Sequence, residues 1–180
     1  MFIRAARPDE AGALSSLAMR SKAHWGYDDA FMEACRAELT ITPEMTPRVD
    51  VAELDGALVG MVRLEPSRLD DLFVEPDAIG TGVGRALLRH VVRRAATEGM
   101  RHLIVDADPN AEGFYLSMGA VRTGESPSAS IPGRMLPRLE LSVSTALVRF
   151  GYDDISIVYR GDDDVVDEYR EWLDRLPLEP

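Results

Sequence analysis

The stretch VEPDAIGTGVGRALLRHVVRRA, residues 74–95, decides the fold class of this chain. Gly80, Gly82 and Gly84 stand at alternate positions, and a run rich in helix-forming residues follows them at once. Glycine has no Cβ, so a ligand can lie directly against the peptide N–H groups. A helix that begins here adds its own unpaired N–H groups and the positive end of its dipole. The pattern predicts a phosphate or diphosphate site built from main-chain donors.

Two common phosphate-binding patterns do not fit this stretch. The dinucleotide fingerprint G-x-G-x-x-G, counted from Gly80, places Arg85 where its third glycine belongs. The phosphate loop G-x-x-x-x-G-K-[ST] fails as well, because Arg85 stands where its second glycine belongs and Ala86 where its lysine belongs. The glycines therefore point to an anion held in another kind of loop.

Charge and composition narrow the classes of function. The 180 residues hold 31 Asp and Glu against 20 Lys and Arg, and a net charge of −11 argues against nucleic-acid binding. Cys35 is the single cysteine, which excludes an intramolecular disulfide and fits a reducing compartment. We predict a cytoplasmic protein that does not enter a membrane, because the sequence has no long apolar run and no signal-peptide pattern. The three histidines lack metal-ligand spacing, so we predict no metal.

Hydrophobic periodicity predicts a layered α/β fold. Two alternating apolar runs in residues 49–66 flank Asp55-Gly56, a pair typical of a tight hairpin turn. A strand, the long helix over 83–98, another strand, a short helix and two more strands follow. Two helices precede the hairpin, the second over about 29–39. The order predicts a mixed sheet with helices on both faces, and a long loop over 126–138.

Residues 144–180 are predicted to form a small acidic appendage to a domain of residues 1–143. Residues 151–180 hold ten Asp and Glu against three Arg. The runs ALVRF and ISIVY are compatible with a hairpin around GYDD, and an apolar stripe that includes Trp172 predicts an amphipathic helix. We expect this appendage to pack on the main domain or on a second subunit, so a homodimer is possible.

Three motifs together resemble the GNAT superfamily of acyl-CoA-dependent N-acyltransferases. The stretch Ile79-Gly80-Thr81-Gly82-Val83-Gly84 is similar to the family's cofactor motif [R/Q]-x-x-G-x-[G/A], although Ile79 stands where Arg or Gln is usual. The hairpin VAELDGALVGMVRL resembles the family's second and third strands, and DADPNAEGFYLSMGA resembles its second motif. The resemblance covers about residues 3–143 and implies that the mixed sheet is mostly antiparallel.

The resemblance implies acetyl-CoA as the cofactor, used as a co-substrate, and a direct transfer of the acetyl group to an amine of a small molecule or peptide. The implied cofactor-binding residues are Leu72, Phe73, Val74, Ile79, Gly80, Thr81, Gly82, Val83, Gly84, Arg85, Asn110 and Phe114. A main-chain N–H near Phe73 or Val74 would polarise the thioester carbonyl.

The resemblance also implies catalytic roles. Tyr115 would be the general acid that protonates the departing thiolate, and Asp70, Asp71 or Glu53 would accept the proton of the attacking amine. Candidate contacts of the acceptor are His24, Trp25, Tyr27, Ser130 and Arg134.

Simpler interpretations remain open for several of these residues. Tyr115 could be a half-buried aromatic residue beside Phe114, and the aromatic residues near His24 could serve ordinary packing. Cys35 lies on an apolar helical stripe, so a buried structural thiol is favoured over a nucleophile. The alternative function is a non-catalytic acyl-CoA-binding or sensing module, and a nucleotide-binding domain is a third candidate.

Overall fold

A computed structural model describes residues 1–150 of the chain. Its seven strands form one sheet in the order β1-β2-β3-β4-β5-β7-β6. All neighbours are antiparallel except β4 and β5, which are parallel. The strands are β1 Phe2–Ala5, β2 Val49–Leu54, β3 Ala57–Glu65, β4 Arg68–Val74, β5 His102–Asp106, β6 Val121–Pro127 and β7 Met135–Ser142.

Within residues 1–150, five α-helices cover the two faces of the sheet. They are α1 Ala11–Ala23, α2 Asp29–Cys35, α3 Val83–Thr97, α4 Glu112–Ser117 and α5 Val143–Arg149. Side chains alternate between faces along a strand, and the core is divided accordingly. Met61 of β3 packs with α1 and α2, whereas its neighbour Val62 packs with α3 and α5. The predicted α/β fold with helices on both faces is confirmed.

The hairpin predicted around Asp55-Gly56 is present. Both residues have positive φ angles, 52° and 83°, as a turn of type I′ requires. The turn brings β2 and β3 together, and β3 also pairs with β4. The hairpin therefore supports β4, the strand that forms one wall of the site described below.

Several predicted boundaries were wrong. ALVRF is not a hairpin strand, because Ala146–Arg149 belongs to α5 and Ala146 and Leu147 are buried in the core shared with α3. The loop predicted over 126–138 is shorter, because β6 continues to Pro127 and β7 begins at Met135. Strand β1 was missed. The segment ISIVY and the predicted helix near Trp172 lie outside the described residues.

Candidate active site

Strands β4 and β5 diverge and leave a cleft between them. A single register pair, Arg68 with Ile104, joins the two strands. At this junction the Asp106 carboxylate binds Arg68 at 3.0 Å and Arg138 of β7 at 2.7 Å. The hydrogen bond from Arg138 lowers the pKa of Asp106 to about 2, so the carboxylate stays ionised at neutral pH. The ion pairs therefore hold the strands together where the cleft begins.

The cleft has a volume of about 470 Å³. Its walls come from α1, β4, the start of α3, β5 and α4, which meet at the opening of the sheet. Ten of the twelve predicted cofactor-binding residues line it: Leu72, Phe73, Val74, Ile79, Gly80, Gly82, Gly84, Arg85, Asn110 and Phe114. Of the other two, Val83 is buried in the core, and the Thr81 N–H is already bound to the Ala78 carbonyl at 3.3 Å.

The start of α3 presents main-chain donors to the cleft. Gly80 and Gly82 have φ angles of 80° and 97°, a conformation that other residues rarely adopt. The Ala86 N–H is the first to bond within the helix, to the Gly82 carbonyl at 3.0 Å. The N–H groups of residues 83–85 therefore have no acceptor inside the helix and, with the helix dipole, suit an anion.

Tyr115 lines the cleft from α4. Its side chain is 5% exposed and packs edge to face with Phe114, with ring centroids 5.1 Å apart. Burial, with a smaller effect from the charge of Asp71, raises the pKa of Tyr115 above its usual value. No hydrogen bond to its hydroxyl is found within residues 1–150. The phenol is therefore protonated at neutral pH and is available to a ligand in the cleft.

Two of the three predicted proton acceptors lie in the cleft. Asp71 is 6% exposed and forms an ion pair with Arg63, and burial raises the pKa of Asp71 against the opposing effect of that cation. Asp70 also lines the cleft and pairs with Arg63 and Arg68. Glu53 lies on β2, where it binds Arg4 at 2.8 Å, and does not line the cleft.

Strand β4 turns one of its two candidate N–H groups toward the cleft side. The Glu75 N–H donates to the Val59 carbonyl of β3 at 3.0 Å, and alternation along a strand turns the Val74 N–H away from β3. That N–H donates instead to the Ser21 Oγ of α1 at 3.2 Å. Phe73 N–H faces β3 by the same alternation. Of the two N–H groups, that of Val74 therefore lies on the cleft side of β4, where Ser21 Oγ accepts it.

A partly buried polar cluster around Asp108 lies at the cleft wall. The Asp108 carboxylate accepts hydrogen bonds from Lys22 Nζ at 2.6 Å, from Tyr27 Oη at 2.9 Å and from Arg134 at 3.2 Å. The Asn110 side-chain amide donates to Tyr27 Oη and to Asp108, each at 3.1 Å. Burial would raise the pKa of Asp108, but the hydrogen bonds from Lys22 and from the Asn110 N–H outweigh it and lower the pKa. The cluster orients Asn110 at the cleft wall.

The five residues predicted to contact the acetyl acceptor do not all line the cleft. Trp25 lines the cleft, and His24 packs against it edge to face at 5.2 Å. Tyr27 and Arg134 belong to the cluster around Asp108. Ser130 hydrogen-bonds to Glu38, and Glu38 lines the cleft. Trp25 is thus the one predicted acceptor residue on the cleft wall itself.

Sequence reasoning missed five polar residues that line the cleft: Ser21, Lys22, Glu38, Asp106 and Asp108. Asp108 carries a local signal, since an Asp directly before a proline is typical of a helix N-cap, but that position indicates a structural role. Ser21 and Lys22 lie in the last turns of α1, where a polar residue is ordinary and gives no functional signal. Their place in the cleft depends on β4 and on the loop after β5, which are distant in sequence.

Two further properties concern residues 1–150 alone. That part of the chain holds no group of three or more His, Cys, Asp and Glu side chains arranged to ligate a metal ion. Its helices are too short or too polar to cross a bilayer.

Cys35 is 3% exposed within the α1–α2 core, and burial raises the pKa of its thiol, as expected of a structural cysteine.

A profile of the acetyltransferase (GNAT) domain family matches residues 13–130. The chain belongs to the GNAT acetyltransferase family. The peptidyl-lysine N-acetyltransferase YjaB of Salmonella typhimurium is 32% identical to it over 144 residues, which are 77% of this chain and 95% of that protein. The resemblance inferred from the three motifs is therefore confirmed, and the chain is an acetyltransferase.

Solved structures of other GNAT acetyltransferases share the fold. A GCN5-related N-acetyltransferase from Rhodopseudomonas palustris superposes with a TM-score of 0.68 at 25% identity, covering 78% of this chain and 94% of that one. The PaiA N-acetyltransferase from Thermoplasma acidophilum, solved in complex with coenzyme A, gives a TM-score of 0.63 at 16% identity, covering 78% of this chain and 98% of that one. The second likeness concerns the fold alone.

Proposed function

We propose that the protein transfers an acetyl group from acetyl-CoA directly to a primary amine, and that the lysine side chain of a peptide is the acceptor class to test first. The observation that carries this proposal is the cleft between β4 and β5. It combines the main-chain donors of α3 with the protonated phenol of Tyr115 and the carboxylate of Asp71. The name of the YjaB relative supports the choice of acceptor.

The cofactor would bind along two walls of the cleft. The diphosphate suits the N–H groups at the start of α3, where the dipole attracts negative charge and Arg85 lies at the cleft wall. The pantetheine arm suits the open edge of β4, because that edge pairs with β5 at one position only and an extended ligand can take up its free donors and acceptors. Asn110 and Phe114 would contact the arm from the opposite wall.

The chemistry would be a direct attack of the amine on the thioester. Asp71 would accept the proton of the incoming ammonium, since its raised pKa makes it a better base than an ordinary aspartate. Tyr115 would give its proton to the departing sulfur, and the phenolate would regain a proton from the nitrogen of the tetrahedral intermediate as the amide forms. The two steps support each other: once Asp71 is neutral, the negative charge that raises the pKa of Tyr115 is gone, and the phenol becomes a stronger acid.

The direct test combines binding and turnover. We expect coenzyme A and acetyl-CoA to raise the melting temperature of the full chain, as any ligand that binds only the folded state does. We also expect thiol release from acetyl-CoA when a lysine-containing peptide is added, with none when its lysine is already acetylated. A panel of small amines run beside the peptide ranks the acceptors. Thermal stabilisation without thiol release for any amine would contradict catalysis and support a binding module.

A further inference from the structure

The hydroxyl of Ser21 occupies an unusual place for a helical serine. Two other serines of α1 donate to the carbonyl four residues earlier: Ser15 to Ala11 at 2.9 Å and Ser16 to Gly12 at 2.9 Å. Ser21 makes no such bond. Its Oγ accepts the Val74 N–H at 3.2 Å, and within the described residues no acceptor is found for its own hydrogen.

The position of Ser21 matters because Val74 N–H is the donor that β4 turns toward the cleft. Ser21 is 8% exposed and also lines the cleft, so its hydroxyl stands between that N–H and any ligand group that approaches it. A thioester oxygen cannot take the place that Oγ already holds. That oxygen can, however, accept a hydrogen bond from the Ser21 hydroxyl, whose own hydrogen has no other acceptor within the described residues.

We propose that Ser21 is a catalytic residue that donates a hydrogen bond to the carbonyl oxygen of the bound acetyl group, with the Val74 N–H holding the hydroxyl in place. The proposal rests on the proposed function. A hydroxyl that accepts a hydrogen bond becomes a stronger donor, so the N–H acts on the thioester through Ser21. As the amine attacks, negative charge develops on that oxygen, and a fixed donor stabilises the charge at no cost in reorganisation. No bond to Ser21 forms or breaks.

Three substitutions test this role. Ser21→Ala removes the donor, Ser21→Cys keeps nearly the same volume with a weak donor, and Ser21→Thr keeps the hydroxyl. We expect kcat to fall about 100-fold in the Ala and Cys variants, the lower range of the loss known for one oxyanion donor. The KM for acetyl-CoA should change little, since the uncharged thioester gains little from the contact. The Thr variant should recover part of the rate.

Ser16→Ala is the matched control, because it removes a hydroxyl from the exposed side of the same helix. Its kcat should equal that of the unmodified protein. A folded Ser21→Ala or Ser21→Cys variant with unchanged kcat would overturn the proposal. So would a faster Ser21→Ala variant, which would mean that the hydroxyl obstructs the Val74 N–H. If the unmodified protein releases no thiol with any amine, the proposed function fails instead, and the two failures are thus distinguishable.

Discussion

At the residue scale, Tyr115 is the side chain whose removal should separate chemistry from binding. Its hydroxyl has no hydrogen-bond partner within residues 1–150, so Tyr115→Phe leaves no buried group unpaired there. We expect kcat to fall by about 100-fold or more, as is typical when a general acid is lost, while the affinity for acetyl-CoA stays nearly constant. Steady-state kinetics with calorimetry of acetyl-CoA binding measures both. A fully active Phe variant would exclude Tyr115 as the acid.

Asp71 should set the acid side of the pH profile. A base must be ionised to act, so kcat is expected to rise with pH through the pKa of Asp71 and then level off. Burial raises that pKa, and the rise should therefore lie above the ordinary range of an aspartate. Asp71→Asn should lower kcat and remove the rise. Asp70→Asn is the paired variant, and a rise that disappears there and persists in Asp71→Asn would make Asp70 the base.

The sequence predicted these residues unequally well, for a physical reason. Tyr115 and Asn110 stand in a short motif with fixed spacing, so local sequence is enough to predict that they line the cleft. Ser21 is notable only because the Val74 N–H lies next to it, 53 residues away in sequence. Choosing between Phe73 and Val74 likewise required the register of β4 against β3. Contacts of this kind depend on tertiary packing, which no local pattern encodes.

At the element scale, the start of α3 offers a comparison between two glycines. Gly82 has a φ angle of 97°, and a Cβ there meets no atom within 4 Å, so Gly82→Ala should cost about 1–2 kcal/mol of folding free energy through the backbone alone. Gly84 lies inside the helix, and a Cβ there meets Phe114 and Val74 at an ordinary 3.6 Å. Gly84→Ala should therefore fold at least as well as the unmodified protein.

Binding distinguishes the two glycines in another way. Gly82 lines the cleft, so a methyl group there would enter the open space where the diphosphate would lie. A methyl group at Gly84 meets Phe114 and Val74 instead, and the family motif accepts Ala at that position. We expect Gly82→Ala to bind coenzyme A several-fold more weakly and Gly84→Ala to bind it about as tightly as the unmodified protein. Calorimetry and thermal melts of both variants, with Gly12→Ala on α1 as the control, measure the two effects. Unchanged affinity in Gly82→Ala would place the cofactor elsewhere.

Elements at the ends of the described chain were the hardest to predict. Strand β1 has four residues and alternates only weakly, so it gives almost no periodic signal. The run ALVRF suits a strand or a buried helix equally well by composition. It is helical because Ser142 caps α5, accepting the Thr145 N–H at 3.4 Å, and because α3 offers an apolar face to cover. The Asp55-Gly56 hairpin was predicted correctly, since its turn chemistry is local.

At the scale of the whole molecule, two ion-paired carboxylates should control the acid stability of the fold. Glu10 binds Arg4 at 2.7 Å and accepts the Arg7 N–H at 2.7 Å, which ties β1 to the entry of α1. The hydrogen bond from Arg4 lowers the pKa of Glu10 from 4.5 to about 2. Asp106, at the junction of β4 and β5, has a pKa lowered to about 2 as well.

A carboxyl whose pKa is lower in the folded state stabilises the fold above its unfolded pKa. That stabilisation is lost as the pH falls toward the folded value. Between about pH 7 and about pH 3, Glu10 alone should account for a loss of about 2 kcal/mol in the free energy of unfolding, because the unfolded chain takes up the proton first. Glu10→Gln should be less stable at neutral pH, and its stability should depend less on pH over that range. Urea unfolding at both pH values measures the difference.

Asp9→Asn is the control, since the Asp9 side chain is 82% exposed and its replacement should leave the pH dependence unchanged. An equal pH dependence in Glu10→Gln and the unmodified protein would mean that the Arg4 ion pair contributes nothing to holding β1 on the sheet.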